Sequence, residues 1–170
     1  RPDTSHVMKN IEGDARPGLL EGLCKVAEAR NVEIIRNVPE AEMGGAHGEC
    51  WFTGENGTAS KIKLKEKRQI LSEIHTLAHE LGHSILHNRD EYEEHKSTSI
   101  KELEAESVAM LVCNSYDIET GKCSFDYIMG HNTKNKDVQE SMLNAGDRIY
   151  KAHKEITTIV DKHLKEVSKK

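Results

Sequence analysis

Two histidines four residues apart, with a glutamate directly after the first, constrain this chain more than any other stretch. They lie in Thr76-Leu77-Ala78-His79-Glu80-Leu81-Gly82-His83-Ser84-Ile85-Leu86-His87. The apolar residues Ile70, Leu71, Ile74, Leu77, Ala78, Leu81, Ile85 and Leu86 form a stripe that predicts a buried helix from about Lys67 to His87. On a 3.6-residue period, His79 and His83 share one face, one turn apart. Two imidazoles so placed can take one Zn²⁺ ion from the same side. Glu80 lies about 100° round the helix. It can take a proton from a metal-activated water without being a ligand. The spacing supplies two ligands and one base.

A third ligand is sought on the next helix, expected from about Ser99 to Tyr116. Three acids crowd its start: Glu102, Glu104 and Glu106. Glu102 and Glu106 share a face, while Glu104 points about 200° away from Glu102. If Glu102 faces the metal, Glu104 is left out and should be dispensable for it. The pattern leaves two readings of Glu102 open. Ser99-Ile100-Lys101-Glu102 fits a capping box, and acids are favoured near helix N-termini. Alternatively Glu102 is the third ligand. His75 and His87 continue the four-residue spacing, but each step drifts about 40°. Both are read as structural.

The chain has 170 residues, enough for one domain with a real core. Charged residues make up 31% and aromatics 4%, so that core must be aliphatic. The net charge is −5 and the dense lysines are confined to the tail Lys165–Lys170, which argues against nucleic-acid binding by this domain. No apolar run of about 18 residues suggests a membrane span, and no signal peptide is recognisable. Cys24, Cys50, Cys113 and Cys123 form no C-x-x-C pair. They read as reduced thiols of a cytoplasmic protein.

In chain order, residues 1–15 read as a loose lead-in and 16–170 as a single domain cut from a longer protein. Pro17–Arg30 reads as a helix. Val32–Val38, Glu49–Thr53 and Ser60–Lys65 read as strands. The alternating lysines of the last suit an edge strand, to which an extended peptide can add. Ser124–Gly130 reads as a short helix. Lys136–Val167 reads as a long amphipathic helix with a kink at Gly146. The expected fold is α+β: helices on a small, mostly antiparallel sheet.

His79–His83 followed by Glu102-Leu103-Glu104-Ala105-Glu106 resembles the gluzincin arrangement of H-E-x-x-H with a downstream glutamate. More narrowly, Glu102–Ala109, Val112-Cys113 and Ser124-Phe125-Asp126-Tyr127-Ile128 are similar to ImmA/IrrE-type metallopeptidases. Among these, the zincin domains of ArdC-like antirestriction proteins of plasmids and phages are nearest. The resemblance covers about residues 17–165. It implies a zincin-like fold and a cytoplasmic zinc endopeptidase. One Zn²⁺ would be held by His79, His83 and Glu102, with Glu80 as general base. Glu106 would then accept the free ring N–H of His79 or His83. The alternative is that Glu106 ligates and Glu102 caps the helix. Tyr127 is either a buried aromatic or a group that polarises the substrate carbonyl, and His131 is a weaker candidate for that role. The implied partner is a protein or peptide substrate, in several relatives a transcriptional regulator. A competing reading is an antirestriction or regulatory module that binds a protein or nucleic acid without cutting it. The intact Glu80 and the acidic balance argue against it.

Overall fold

The structure is a computed structural model and describes residues 15–66, 69–88, 97–120 and 136–169. The lead-in, the expected helix Ser124–Gly130, Tyr127, His131 and Cys123 lie outside these residues. In chain order the elements are α1 (Leu19–Ala29), β1 (Glu33–Val38), the single turn α2 (Glu40–Met43), β2 (Gly48–Trp51), β3 (Lys61–Lys65), α3 (Ile70–Leu86), α4 (Thr98–Ser115) and α5 (Lys136–Ser168). A 3₁₀ turn at Glu55–Gly57 joins β2 to β3. The fold is α+β, as the alternation of periods predicts.

The sheet is mixed rather than mostly antiparallel. Its order is β1-β3-β2, with β3 parallel to β1 and antiparallel to β2. β3 is therefore the central strand, not the edge. Its alternation marks a wet face and says nothing about strand order. Ile62 and Leu64 point into the core, at 0% and 1% exposure. Lys63 and Lys65 lie on the outer face, against Glu42 and Glu40. The ammonium groups of Lys61 and Lys63 stand 5.3 and 4.7 Å from the centre of the Trp51 ring. Across β1 the register shifts between Ile35 and Val38, where Asn37 takes a positive φ of 58°.

The helices cover the inner face. α1 buries Leu19, Leu23 and Val26, and α5 buries Ala152, Ile156 and Val160 against it. α5 runs through Gly146 as one helix. In α3 the predicted stripe is buried at Ile74, Leu77, Ala78, Leu81 and Leu86, partly buried at Leu71 and Ile85, and 44% exposed at Ile70. α4 differs from an ordinary surface helix. All eight residues from Glu102 to Ala109 are buried, because α3 and α5 both pack on it. Burying carboxylates costs several kcal/mol each without partners, so this helix demands cations or donors on its neighbours.

Candidate metal centre

The close approach of α3 to α4 begins with a missing side chain. A Cβ on Gly82 would stand 3.2 Å from the Cα and O of Ala105 and from the Cβ of Val108. Gly82 and the small Ala105 bring the helices together, and the glutamates of α4 reach the histidines of α3. The helix α4 itself starts two residues earlier than a capping box at Ser99 requires. Ser97 is its N-cap, with its hydroxyl accepting from the Ile100 amide. That correction removes the capping role from Glu102, which sits in the second turn and faces α3.

Each buried glutamate of α4 has its partners. Glu102 lies against both motif histidines: Oε2 is 3.0 Å from His79 Nε2 and Oε1 is 3.1 Å from His83 Nε2. Glu106 bridges His75 Nε2 and His79 Nδ1, both at 2.8 Å. Glu104 is 0% exposed and accepts from Arg148 Nη1 at 3.0 Å. It is turned away from the motif nitrogens, as its angle predicts, but it is not a free surface acid. His75 and His87, read as structural from spacing, touch the site's supporting groups. His87 Nδ1 lies 2.8 Å from His83 Nδ1. Their regular spacing with His79 and His83 was the available signal. Which carboxylate each would meet depended on how α3 and α4 pack.

The residues fit a divalent ion. His79, Glu80 and His83 hold donor atoms within 4.8 Å of one another. Glu102 approaches the two Nε2 atoms more closely, at 3.0 and 3.1 Å. Ligands bonded at 2.0–2.1 Å to one tetrahedral zinc are about 3.3 Å apart. The two Glu102 oxygens thus lie at a spacing from the histidine nitrogens that one ion could bridge, and Glu80 belongs to the same cluster. His83 Nε2 is buried and faces Glu102 Oε1 at 3.1 Å without a well-aligned hydrogen bond. An imidazole nitrogen so placed suits a metal better than a shared proton.

Charge follows the same arrangement. Burial opposes a charged His79, but hydrogen bonds to Glu102 and Glu106 outweigh it and push the imidazole up to about 10. Burial alone would raise the Glu102 carboxyl. The bond from His79 and the nearness of His83 instead hold it far below the usual carboxylate range. Glu106 is depressed against its own burial by His75 and His79. His87 goes the other way: burial lowers it to about 4, so it is neutral at neutral pH. The cluster thus stabilises positive charge on His79, between Glu102 and Glu106.

Glu80 is placed by the sheet. A Cβ on Gly48 would come within 2.6 Å of Thr76 Cγ2 and 3.0 Å of Glu80 Cγ. A side chain here would have to displace Thr76 or Glu80 where β2 passes over α3. β2 is also an edge strand of the three-stranded sheet.

No family model matches this chain, and no solved structure does. It is similar to an uncharacterized protein of Bacillus anthracis, with 26% identity over 152 residues. The match covers 87% of this chain and 25% of that relative, so the chain spans about a quarter of the relative's length.

Proposed function

We propose that this domain is a zinc-dependent endopeptidase of the zincin kind, related to the ImmA/IrrE-type metallopeptidases. The observation that carries the reading is the convergence of His79 Nε2, His83 Nε2 and the Glu102 carboxylate at 3.0–3.1 Å, with Glu80 beside them. His79, His83 and Glu102 would hold the ion, which would supply Lewis-acid polarisation of a peptide carbonyl and a lowered pKa for a water, toward about 7. Glu80 would serve as the general base, taking a water proton and returning it to the leaving amine. Glu106 fixes His79 through Nδ1 and raises its basicity. The exclusion of bulk water from these buried groups strengthens every charge interaction among them.

The substrate is an extended segment of a protein. β2 is the strand that offers it main-chain hydrogen bonds, because β2 lies at the sheet edge and passes Glu80 at Gly48. Ser60–Lys65 has no such role, since β3 is covered on both sides.

The test is cleavage of a peptide library followed by mass spectrometry, with zinc supplied. The wild-type chain should cut at discrete sites. Glu80→Gln should retain zinc and lose at least about 10²-fold in rate, the usual contribution of a general base. Undiminished cleavage by Glu80→Gln would sink the mechanism.

A further inference from the structure

Four histidines line α3 at a four-residue spacing, and the proposed centre uses the middle two. His75 is accounted for by Glu106, which it shares with His79. His87 is not accounted for by packing. It is 4% exposed, just past the end of α3, and its Nδ1 lies 2.8 Å from the Nδ1 of His83. Its Nε2 faces Glu104 Oε2 at 3.8 Å. Glu104 is in turn fixed by Arg148, whose Nη2 also donates to the carbonyl of Leu86 at 3.1 Å.

Two ring nitrogens 2.8 Å apart must share one proton, because a neutral imidazole carries one N–H and one lone pair. Two arrangements satisfy this. If His83 donates from Nδ1, its Nε2 keeps a lone pair for a metal. If His87 donates from Nδ1, His83 must carry its own proton on Nε2 and cannot ligate. The negative charge of Glu104 faces the Nε2 of His87 and favours a proton there. Once a metal replaces any proton on His83 Nε2 beside Glu102 Oε1, that leaves His87 Nδ1 as the acceptor and the lone pair of His83 turned inward. The tautomer of the ligand is therefore set two residues away from it.

We propose that His87 is a positioning residue of the metal centre. The chain His83–His87–Glu104–Arg148 fixes the tautomer and orientation of His83 and ties the centre to α5. This rests on the metal-centre reading. It adds that α5, which supplies none of the three ligands, controls how well one of them binds. It also explains why Glu104 is buried with a guanidinium although it faces away from the motif nitrogens. The two ligands then use different outer acceptors: a carboxylate behind His79 and a neutral imidazole behind His83.

The test is zinc affinity by competition with a chromophoric chelator, together with the visible spectrum of the cobalt-substituted protein. His87→Leu removes the acceptor. It should weaken zinc about 10–100-fold, the usual cost of losing an outer partner of a ligand, and shift the cobalt band. His87→Asn places an amide oxygen near the position of Nδ1. It should bind within about threefold of wild type and keep the band, a rescue that a merely space-filling role does not predict. Glu104→Gln keeps the shape of the buried acid and removes its charge. It should weaken zinc in the same direction by about tenfold, and it serves should the leucine variant not fold. Wild-type affinity in either His87→Leu or Glu104→Gln overturns the relay, as does equal weakening by leucine and asparagine. If wild type itself takes up neither zinc nor cobalt, the metal-centre reading falls and the relay with it.

Discussion

Glu106 holds two imidazoles on one carboxylate, whereas Glu102 holds two that point away from their outer partners. That difference predicts different losses. Glu102→Ala should nearly abolish zinc binding, because a ligand is gone. Glu106→Ala should weaken it about 10–100-fold, because only the support of His79 is lost. Glu104→Ala should also destabilise the fold, by about 1–3 kcal/mol, since it leaves Arg148 and a buried site without their acceptor. Calorimetric zinc titration and thermal melts of the three variants separate these outcomes. The pH response follows from the same groups. In the metal-free protein the raised His79 contributes stability that is full below about pH 6.5 and fades as pH rises toward about 10. The depressed Glu102 and Glu106 contribute above the usual carboxylate range and are lost as pH falls through their folded values. Melts in chelator should therefore show the cluster's contribution declining from pH 7 to 10. A contribution that rises over that range would contradict the pairing. At this scale the sequence was legible where helix angle alone decides: the shared face of His79 and His83, the place of Glu80 beside them, and the divergence of Glu104 from Glu102. The partners of His75 and His87 were not, because they depend on the register between two helices. The true N-cap was missed because Ser97, Thr98 and Ser99 are near-equivalent starts.

Two glycines set how elements approach the site. Gly82→Ala gains about 1 kcal/mol of helix propensity. It also drives a Cβ to 3.2 Å from the backbone of Ala105, which cannot yield as a flexible side chain can. Overpacking of this sort costs about 1–3 kcal/mol, so the net effect should be loss of stability with weakened zinc affinity. Gly48→Ala presses on Thr76 and Glu80 instead. It should lower the rate of peptide cleavage more than it lowers zinc affinity, because Glu80 moves and the ligands do not. Kinetics beside zinc titration will distinguish the two. Neither role was visible in the sequence, where Gly82 is only the fourth residue of a motif and Gly48 only the end of a loop. Strand order was equally hidden. The lysines of β3 report a face in contact with water, and on this sheet that face belongs to the central strand.

The whole molecule is held by α5, which packs on α1, α3 and α4 and buries a row of aliphatic residues from Ala145 to Leu164. Its amphipathic period made this helix legible from the sequence, but nothing local linked Arg148 to Glu104. Among the described residues, no helix is long and apolar enough to cross a membrane. The proposed ligands come from α3 and α4, so binding a metal should stabilise the folded state as a whole. Zinc at a thousandfold excess over its Kd should add about 4 kcal/mol to the unfolding free energy, and a chelator should remove it. The most direct measurement is metal content: zinc per chain, by elemental analysis of the purified protein and three variants. One zinc is expected in wild type, one in Glu80→Gln, and almost none in His83→Ala and Glu102→Ala. Wild type without metal, or Glu102→Ala with a full equivalent, would contradict the metal-centre reading.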